Sequence, residues 1–205
     1  MVEEMAIAND PAAFHALLDE YGPDADAAKR EQIEADIWQR FGVREAVFVL
    51  DMSGFSSLTA RYGAVHYLSM VRRMHLALGE IVQSNDGNVV KFEADNCFGR
   101  FPSVAAAVRC AVEANERFAK MNVDTEDSYD IRVCVGIAFG DFLLVGGHDL
   151  FGDPVNRASR LGEDIAEPGE ILVDLHNQAE IEDLPWERIE RETGKGLIEA
   201  ARMIR

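Results

Sequence analysis

The sequence predicts an α+β fold of the ferredoxin-like, split βαβ kind, with a short helical appendage at its N-terminus. Three observations carry that expectation. Apolar runs of strand length alternate with long amphipathic stretches in the order β-α-β-β-α-β. Near Arg44 the pattern changes from helical spacing to a continuous apolar run. With 205 residues, 48% apolar and 28% charged, the chain has the size and balance of one globular domain plus an addition.

Residues 1–40 carry helical spacing, with Phe14, Leu17, Leu18 and Tyr21 in one stretch and Ile33, Ile37 and Trp38 in the next. Gly22, Pro23 and Asp24 interrupt the period, so two short helices are expected. Up to Glu45 there are eleven acidic residues against four basic ones. An acidic segment 1–43 is therefore expected to pack on a domain at 44–205, or to bind a regulatory partner. Residues 46–50 are all apolar, as in a strand buried on both faces. They end in a polar, glycine-containing turn at 51–56. A long helix follows, with Tyr67, Val71, Met74, Leu78 and Ile81 on one stripe, closed by Asp86 and Gly87. Residues 88–92 and 97–101 read as a hairpin bent at 93–96, its first strand central in the sheet. A second helix is expected over 103–121, with Val104, Val108, Ala111 and Phe118 inward. Residues 131–138 and 142–145 read as two strands separated by a turn at Gly140 and Asp141. Pro154 suits a first helical turn and opens a helix over 155–165. A strand at 170–173 and edge strands at 186–190 and 200–204 complete the chain.

Lys and Arg number 20 against 37 Asp and Glu, a formal net charge of −17. A chain so acidic repels nucleic-acid backbones and has no basic face for an anionic membrane. No stretch approaches the roughly eighteen uninterrupted apolar residues of a membrane span. The opening Met-Val-Glu-Glu-Met lacks the basic-then-apolar order of a secretory signal. Cys97, Cys110 and Cys134 are odd in number and form no Cys-x-x-Cys pair, so they read as reduced core thiols of a cytoplasmic protein. A small anionic substrate remains compatible with this charge if the site gathers a few Lys or Arg residues or a metal ion.

Asp51 ends the first buried strand and Asp95 bends the neighbouring hairpin, so the two carboxylates are expected side by side, where they could hold divalent cations. Asp is also a good turn and cap former, which would place both residues without any metal. The helix start around Phe55 and Ser56 offers free backbone N–H groups that suit a phosphate. Lys91 lies within a strand, where a charge needs a partner unless it points to the less buried face. Asn156 and Arg160 are four apart and share a helix face, an arrangement that suits phosphate but is also common on solvated helices.

Four segments together resemble the catalytic domain of the class III nucleotidyl cyclases, the adenylate and guanylate cyclase family. They are Val-Phe-Val-Leu-Asp-Met-Ser-Gly-Phe-Ser-Ser-Leu-Thr at 47–59, Lys-Phe-Glu-Ala-Asp at 91–95, Val-Gly-Ile-Ala-Phe-Gly-Asp at 135–141 and His-Asp-Leu-Phe-Gly-Asp-Pro-Val-Asn-Arg-Ala-Ser-Arg-Leu at 148–161. The resemblance covers roughly 45–175 and implies the nucleotide cyclase fold and conversion of ATP to cyclic AMP and pyrophosphate. Asp51, Asp95 and the Met52 carbonyl would bind two Mg²⁺ or Mn²⁺ ions per active site. Phe55 and Ser56 would face the substrate, and Lys91 with Asp149 match the adenine-reading pair. Asn156 would orient the ribose and Arg160 stabilise charge on the α-phosphate. The family builds each site from two chains, which implies a homodimer. Guanylate or relaxed specificity, or a non-catalytic nucleotide- or partner-binding module, are the alternatives. Ala94 stands where the family has Gly, in a bend that needs positive φ, Phe151 replaces the usual Trp, and the segment 141–149 is short. Lys195, between two glycines, is a further cation that could reach a terminal phosphate.

Overall fold

The computed structural model describes residues 9–193 and 196–204, and Lys195 lies outside the described residues. Two helices come first, α1 (Pro11–Glu20) and α2 (Ala27–Phe41). Each starts on an aspartate: Asp10 accepts from the Ala12 amide at 3.1 Å and Asp26 from the Lys29 amide at 2.8 Å. α2 runs without a linker into β1 (Gly42–Met52), followed by α3 (Phe55–Tyr62) and α4 (Ala64–Ser84). The hairpin β2 (Asn88–Glu93) and β3 (Asn96–Phe101) leads to α5 (Val104–Val123) and β4 (Val133–Val145). Then come β5 (Asp149–Phe151), α6 (Asp153–Ser159), a wide π turn at Arg160–Ile165, β6 (Ile171–Asp174), β7 (Trp186–Thr193) and β8 (Gly196–Met203).

Among the described residues these strands form one sheet in the order β2-β3-β1-β4-β6-β8-β7, with β5 paired to β4 off that path. β1 is antiparallel to both β3 and β4, and β2 is antiparallel to β3. Hence β1 and β2 run parallel around β3, and β3 and β4 run parallel around β1: two split βαβ units interlocked, as the sequence predicts. α4 and α5 cover one face, where Tyr67, Met70, Met74, Leu78 and Phe118 meet Phe48, Leu50 and Met52. On the other face Val47, Val49, Ala138 and Phe142 pack with Val155 and Ala158 of α6. A third cluster joins Phe14, Ile33, Ile37 and Phe41 to Val145, so the N-terminal helices sit on the end of β4. Cys97, Cys110 and Cys134 are free and buried. No described helix is long and apolar enough to cross a membrane.

Four local expectations are corrected. The long helix after Ser53 is two helices, because Gly63 at φ +87° turns the chain between them. The expected strands 131–138 and 142–145 merge into one, β4, which starts at Val133 and runs through to Val145. β1 is long enough to pair through the supposed turn, setting Arg44 opposite Asp141 with an ion pair at 2.6 Å. The strand carrying Lys91 is outermost, not central, because β3 and β4 already occupy both edges of β1. The helix expected over 155–165 is α-helical only as far as Ser159.

Two glycines let that last segment lie directly on the sheet. A Cβ at Gly136 of β4 would stand 2.1 Å from the Ala158 carbonyl oxygen and 2.4 Å from the Gly162 amide, while one at Gly162 would stand 2.8 Å from the Val49 carbonyl oxygen. These are backbone atoms of packed elements and cannot swing aside. Gly136→Ala should therefore destabilise the fold by about 2–3 kcal/mol, in the range of overpacked cores, as read by urea unfolding. It should also reduce activity, because it displaces the segment carrying Asn156 and Arg160.

Candidate active site

β1 leaves the core at Asp51, whose register partner on β3 is Asn96. Asp95 immediately precedes that partner at the hairpin bend, so the two carboxylates meet at one end of neighbouring strands. Burial, with the nearby carboxylates of Asp95 and Glu163, pushes Asp51 up to about 7. Tyr67, almost wholly buried on α4, donates its hydroxyl to Asp95 Oδ2 at 2.6 Å and lies 3.3 Å from the Met52 carbonyl oxygen. The bend takes φ +52° at Ala94, in the left-handed region that the missing glycine would have entered without strain. His75 steadies it, with Nε2 3.2 Å from the Ala94 carbonyl oxygen and the ring stacked on Phe92 at 4.0 Å.

The donor set fits a hard divalent cation. Asp51, Asp95 and the Met52 carbonyl offer oxygen only, and the raised pKa of Asp51 marks negative charge that a dication would offset. Among the described residues no group of three or more His, Cys, Asp or Glu side chains could cage a metal. A partial set of this kind suits Mg²⁺ or Mn²⁺, which keep waters and share substrate phosphates. Beside it, Gly54 at φ +96° turns the chain into α3, and no side chain caps that helix, so its first amides near Phe55 and Ser56 have no side-chain acceptor. Phe55 is half exposed, its ring edge-on to Tyr67 at 4.9 Å.

A second constellation forms on β2 and β5. Lys91 Nζ lies 3.0 Å from Asp149 Oδ1 and 3.1 Å from Glu93 Oε2, and 5.1 Å from the centre of the Phe98 ring. Burial works to lower the Lys91 pKa, but Asp149 and Glu93 outweigh it and keep the pKa raised, so the amine stays charged. Asp149 Oδ1 also accepts from the Leu150 amide at 3.0 Å. β5 exists because β4 folds back through Gly146 and Gly147, both in the left-handed region.

Asn156 and Arg160 lie on a third segment, one turn apart, with Arg160 at the change from α to π winding. The neighbouring Arg157 has a structural role, its guanidinium 2.6 Å from both Asp153 and the buried Asp174. Arg160 differs. Among the described residues no hydrogen bond or ion pair engages its side chain, and it borders a cleft of about 470 Å³ shared with Leu161, His176, Leu197 and Ile198. The structure thus brings Asp51 beside Asp95 and Lys91 beside Asp149, and carries Asn156 and Arg160 on one further segment. Sequence reasoning missed Tyr67 and β5. A tyrosine on an inward stripe of Val, Met, Leu and Ile is itself a signal, because its buried hydroxyl must find a partner. A three-residue strand gives no periodicity to read.

No protein-family profile matches the chain. A crystal structure of an adenylate/guanylate cyclase/hydrolase from Silicibacter pomeroyi is 30% identical, matched over 80% of this chain and 98% of that one, with a TM-score of 0.65. The catalytic core of a rhodopsin-guanylyl cyclase with converted specificity, in complex with ATPαS, has a TM-score of 0.66 over 80% of this chain and 98% of that one; at 19% identity it bears on the fold alone. A protein of Rhizobium meliloti (strain 1021), named provisionally as adenylate cyclase 3, is 32% identical over 128 residues, 62% of this chain and 22% of that protein. The chain spans about a fifth to a third of the length of the curated relatives it matches. The interlocked split βαβ units, the order of the four motifs and the near-complete match to the Silicibacter cyclase lead to one conclusion: the chain belongs to the class III adenylate/guanylate cyclase family and has the fold of its catalytic domain.

Proposed function

We infer that the protein is an adenylate cyclase, converting ATP to 3′,5′-cyclic AMP and pyrophosphate. Residues 44–205 would form the catalytic domain and residues 1–43 a segment packed upon it. The observation that carries this reading is the Lys91–Asp149 contact at 3.0 Å, between side chains 58 residues apart in sequence. Lys can donate to adenine N1 and Asp can accept from the exocyclic N6 amine. Guanine has the reverse polarity at both atoms and would meet donor with donor and acceptor with acceptor. When adenine enters, the ion pair opens and each partner exchanges its bond to the other for one to the base edge.

Asp51, Asp95 and the Met52 carbonyl would hold two Mg²⁺ or Mn²⁺ ions, which when bound lower the pKa of the ribose 3′-hydroxyl and neutralise phosphate charge. Tyr67 fixes the Asp95 carboxylate for that purpose. The amides at Phe55 and Ser56 face the phosphates. Asn156 orients the ribose so that the 3′-oxygen lies in line with the α-phosphorus. Arg160, with no partner among the described residues, donates to the α-phosphate as the new P–O bond forms and the bond to pyrophosphate breaks. The reading also takes the active species to be a homodimer, in which Asp51 and Asp95 of one protomer work with Lys91, Asp149, Asn156 and Arg160 of the other.

Incubation with ATP, GTP, CTP and UTP, each with Mg²⁺ and with Mn²⁺, should give cyclic AMP as the dominant product. Dominant cyclic GMP would assign guanylate cyclase activity, and no cyclic product from any of the four would leave a nucleotide-binding module. Asp51→Ala and Arg160→Ala should each lower turnover at least about 10²-fold, the cost of one lost transition-state contact. Mixing the two inactive variants should restore activity, since each mixed dimer holds one complete site. A mixture that stays inactive while subunits exchange would refute the shared site.

Asp51 also predicts a pH dependence. Its folded pKa of about 7 lies above the ordinary 3.8, so ionising it costs stability: the cost is absent below about pH 4 and complete above about pH 7. Without divalent metal, Asp51→Asn should therefore raise Tm at pH 8, with the gain vanishing near pH 4. Adding Mn²⁺ should raise Tm of the wild-type chain at pH 8 and leave the variant unmoved.

A further inference from the structure

β5 is three residues long and paired to one neighbour, β4, yet it carries Asp149. A two-stranded ribbon is marginal by itself, so another element must hold it. Leu150 anchors it in the cluster with Phe142 and Val155, and α1 with the residue ahead of its cap adds a hold on either side of Asp149. Asn9 Oδ1 accepts the Gly146 amide at 2.7 Å, at the turn that precedes Asp149. Pro11 shares the space above Gly146 with the His148 ring, so that a Cβ there would stand 2.8 Å from the Pro11 ring. Phe14 lies parallel to Phe151, ring centres 6.1 Å apart and planes 10° apart, at the end of the strand that follows Asp149. Phe14 is itself fixed from behind by an edge contact to Phe41 at 5.0 Å. The hairpin is thus gripped just before and just after Asp149, while Lys91 holds the carboxylate from the front.

We propose that Asn9, Pro11 and Phe14 are positioning residues for base selection, acting through the β4–β5 hairpin on Asp149. The proposal rests on the reading of Asp149 as the carboxylate that meets the base. Adenine and guanine differ there by a donor against an acceptor, and a carboxylate discriminates between them only while it cannot retreat. A hairpin released from α1 lets Asp149 move away from guanine O6 and lengthens its bond to adenine N6. The N-terminal helix is then part of the specificity apparatus, although it lies outside the four cyclase motifs.

The test uses the full chain with Asn9→Ala, which removes one part-buried hydrogen bond, and Phe14→Leu, which keeps apolar bulk but loses the stacked ring. Ile33→Val, a loss of one methyl group in the same apolar cluster, serves as the control for packing. KM and kcat would be measured with ATP and GTP, and affinity with mant-ATP and mant-GTP. Loss of one hydrogen bond should raise KM for ATP and lower the ATP-over-GTP ratio by about fivefold, with kcat at saturating ATP changed less and Ile33→Val resembling the wild type. A wild-type preference for ATP that Asn9→Ala and Phe14→Leu both keep within twofold overturns the role of α1. Should Phe14→Leu fail to fold, Asn9→Ala decides. A wild-type chain that makes no cyclic nucleotide and prefers neither probe overturns the nucleotide reading itself, and this proposal with it.

Discussion

Burial of β1 on both faces is the constraint from which the rest of the molecule follows. Residues 46–50 are wholly inaccessible and lie in register with β3 on one side and β4 on the other. A strand so placed cannot slip by one residue without exchanging its two sets of side chains between layers. The point at which it leaves the core is therefore fixed, and that point is Asp51. The same register sets Asn96 opposite and Asp95 beside it. Tyr67 comes from the helix that roofs β1, so its hydroxyl arrives at Asp95 with an orientation that the apolar core has already determined. The polar site inherits its rigidity from the apolar one beneath it.

Charge is distributed to match. The chain carries −17 overall, and at Asp51 burial first, then the neighbouring carboxylates of Asp95 and Glu163, raise the pKa to about 7. Of the cations in the candidate site, Lys91 is satisfied by Asp149 and Glu93, whereas Arg160 has no partner among the described residues. Arg157, three positions earlier on the same segment, shows the structural alternative, locked between Asp153 and Asp174. Two arginines three positions apart thus have opposite fates.

The fold class was legible because the apolar run at 46–50 and the stripes of α4 and α5 are long enough for periodicity to speak. Where a single residue decides, the pattern failed. Gly63 splits a helix whose apolar period continues through it, and Gly140 read as a turn because nothing local says that β1 extends far enough to pair with it. The edge position of β2 was invisible for a similar reason: strand order depends on which edge of β1 is free, a property of the whole sheet. In the site, Lys91 and Asp149 could be paired only by the cyclase resemblance, because their contact depends on a strand of three residues. Tyr67 was placed on its helix face, but its hydroxyl partner lies across the sheet and is set by tertiary packing.

The short segment between Asp141 and Asp149 has its explanation in the same packing. β4 continues through most of it and turns back within two glycines. The turn and the strand that follows it meet the start of α1, at Gly146 and Phe151. The outer surface of α1, α2 and the turn between them exposes Asp19, Glu20, Asp24, Asp26, Glu31, Glu34 and Asp36. Two copies meeting through that surface would oppose like charges, which is unfavourable and most so at low ionic strength.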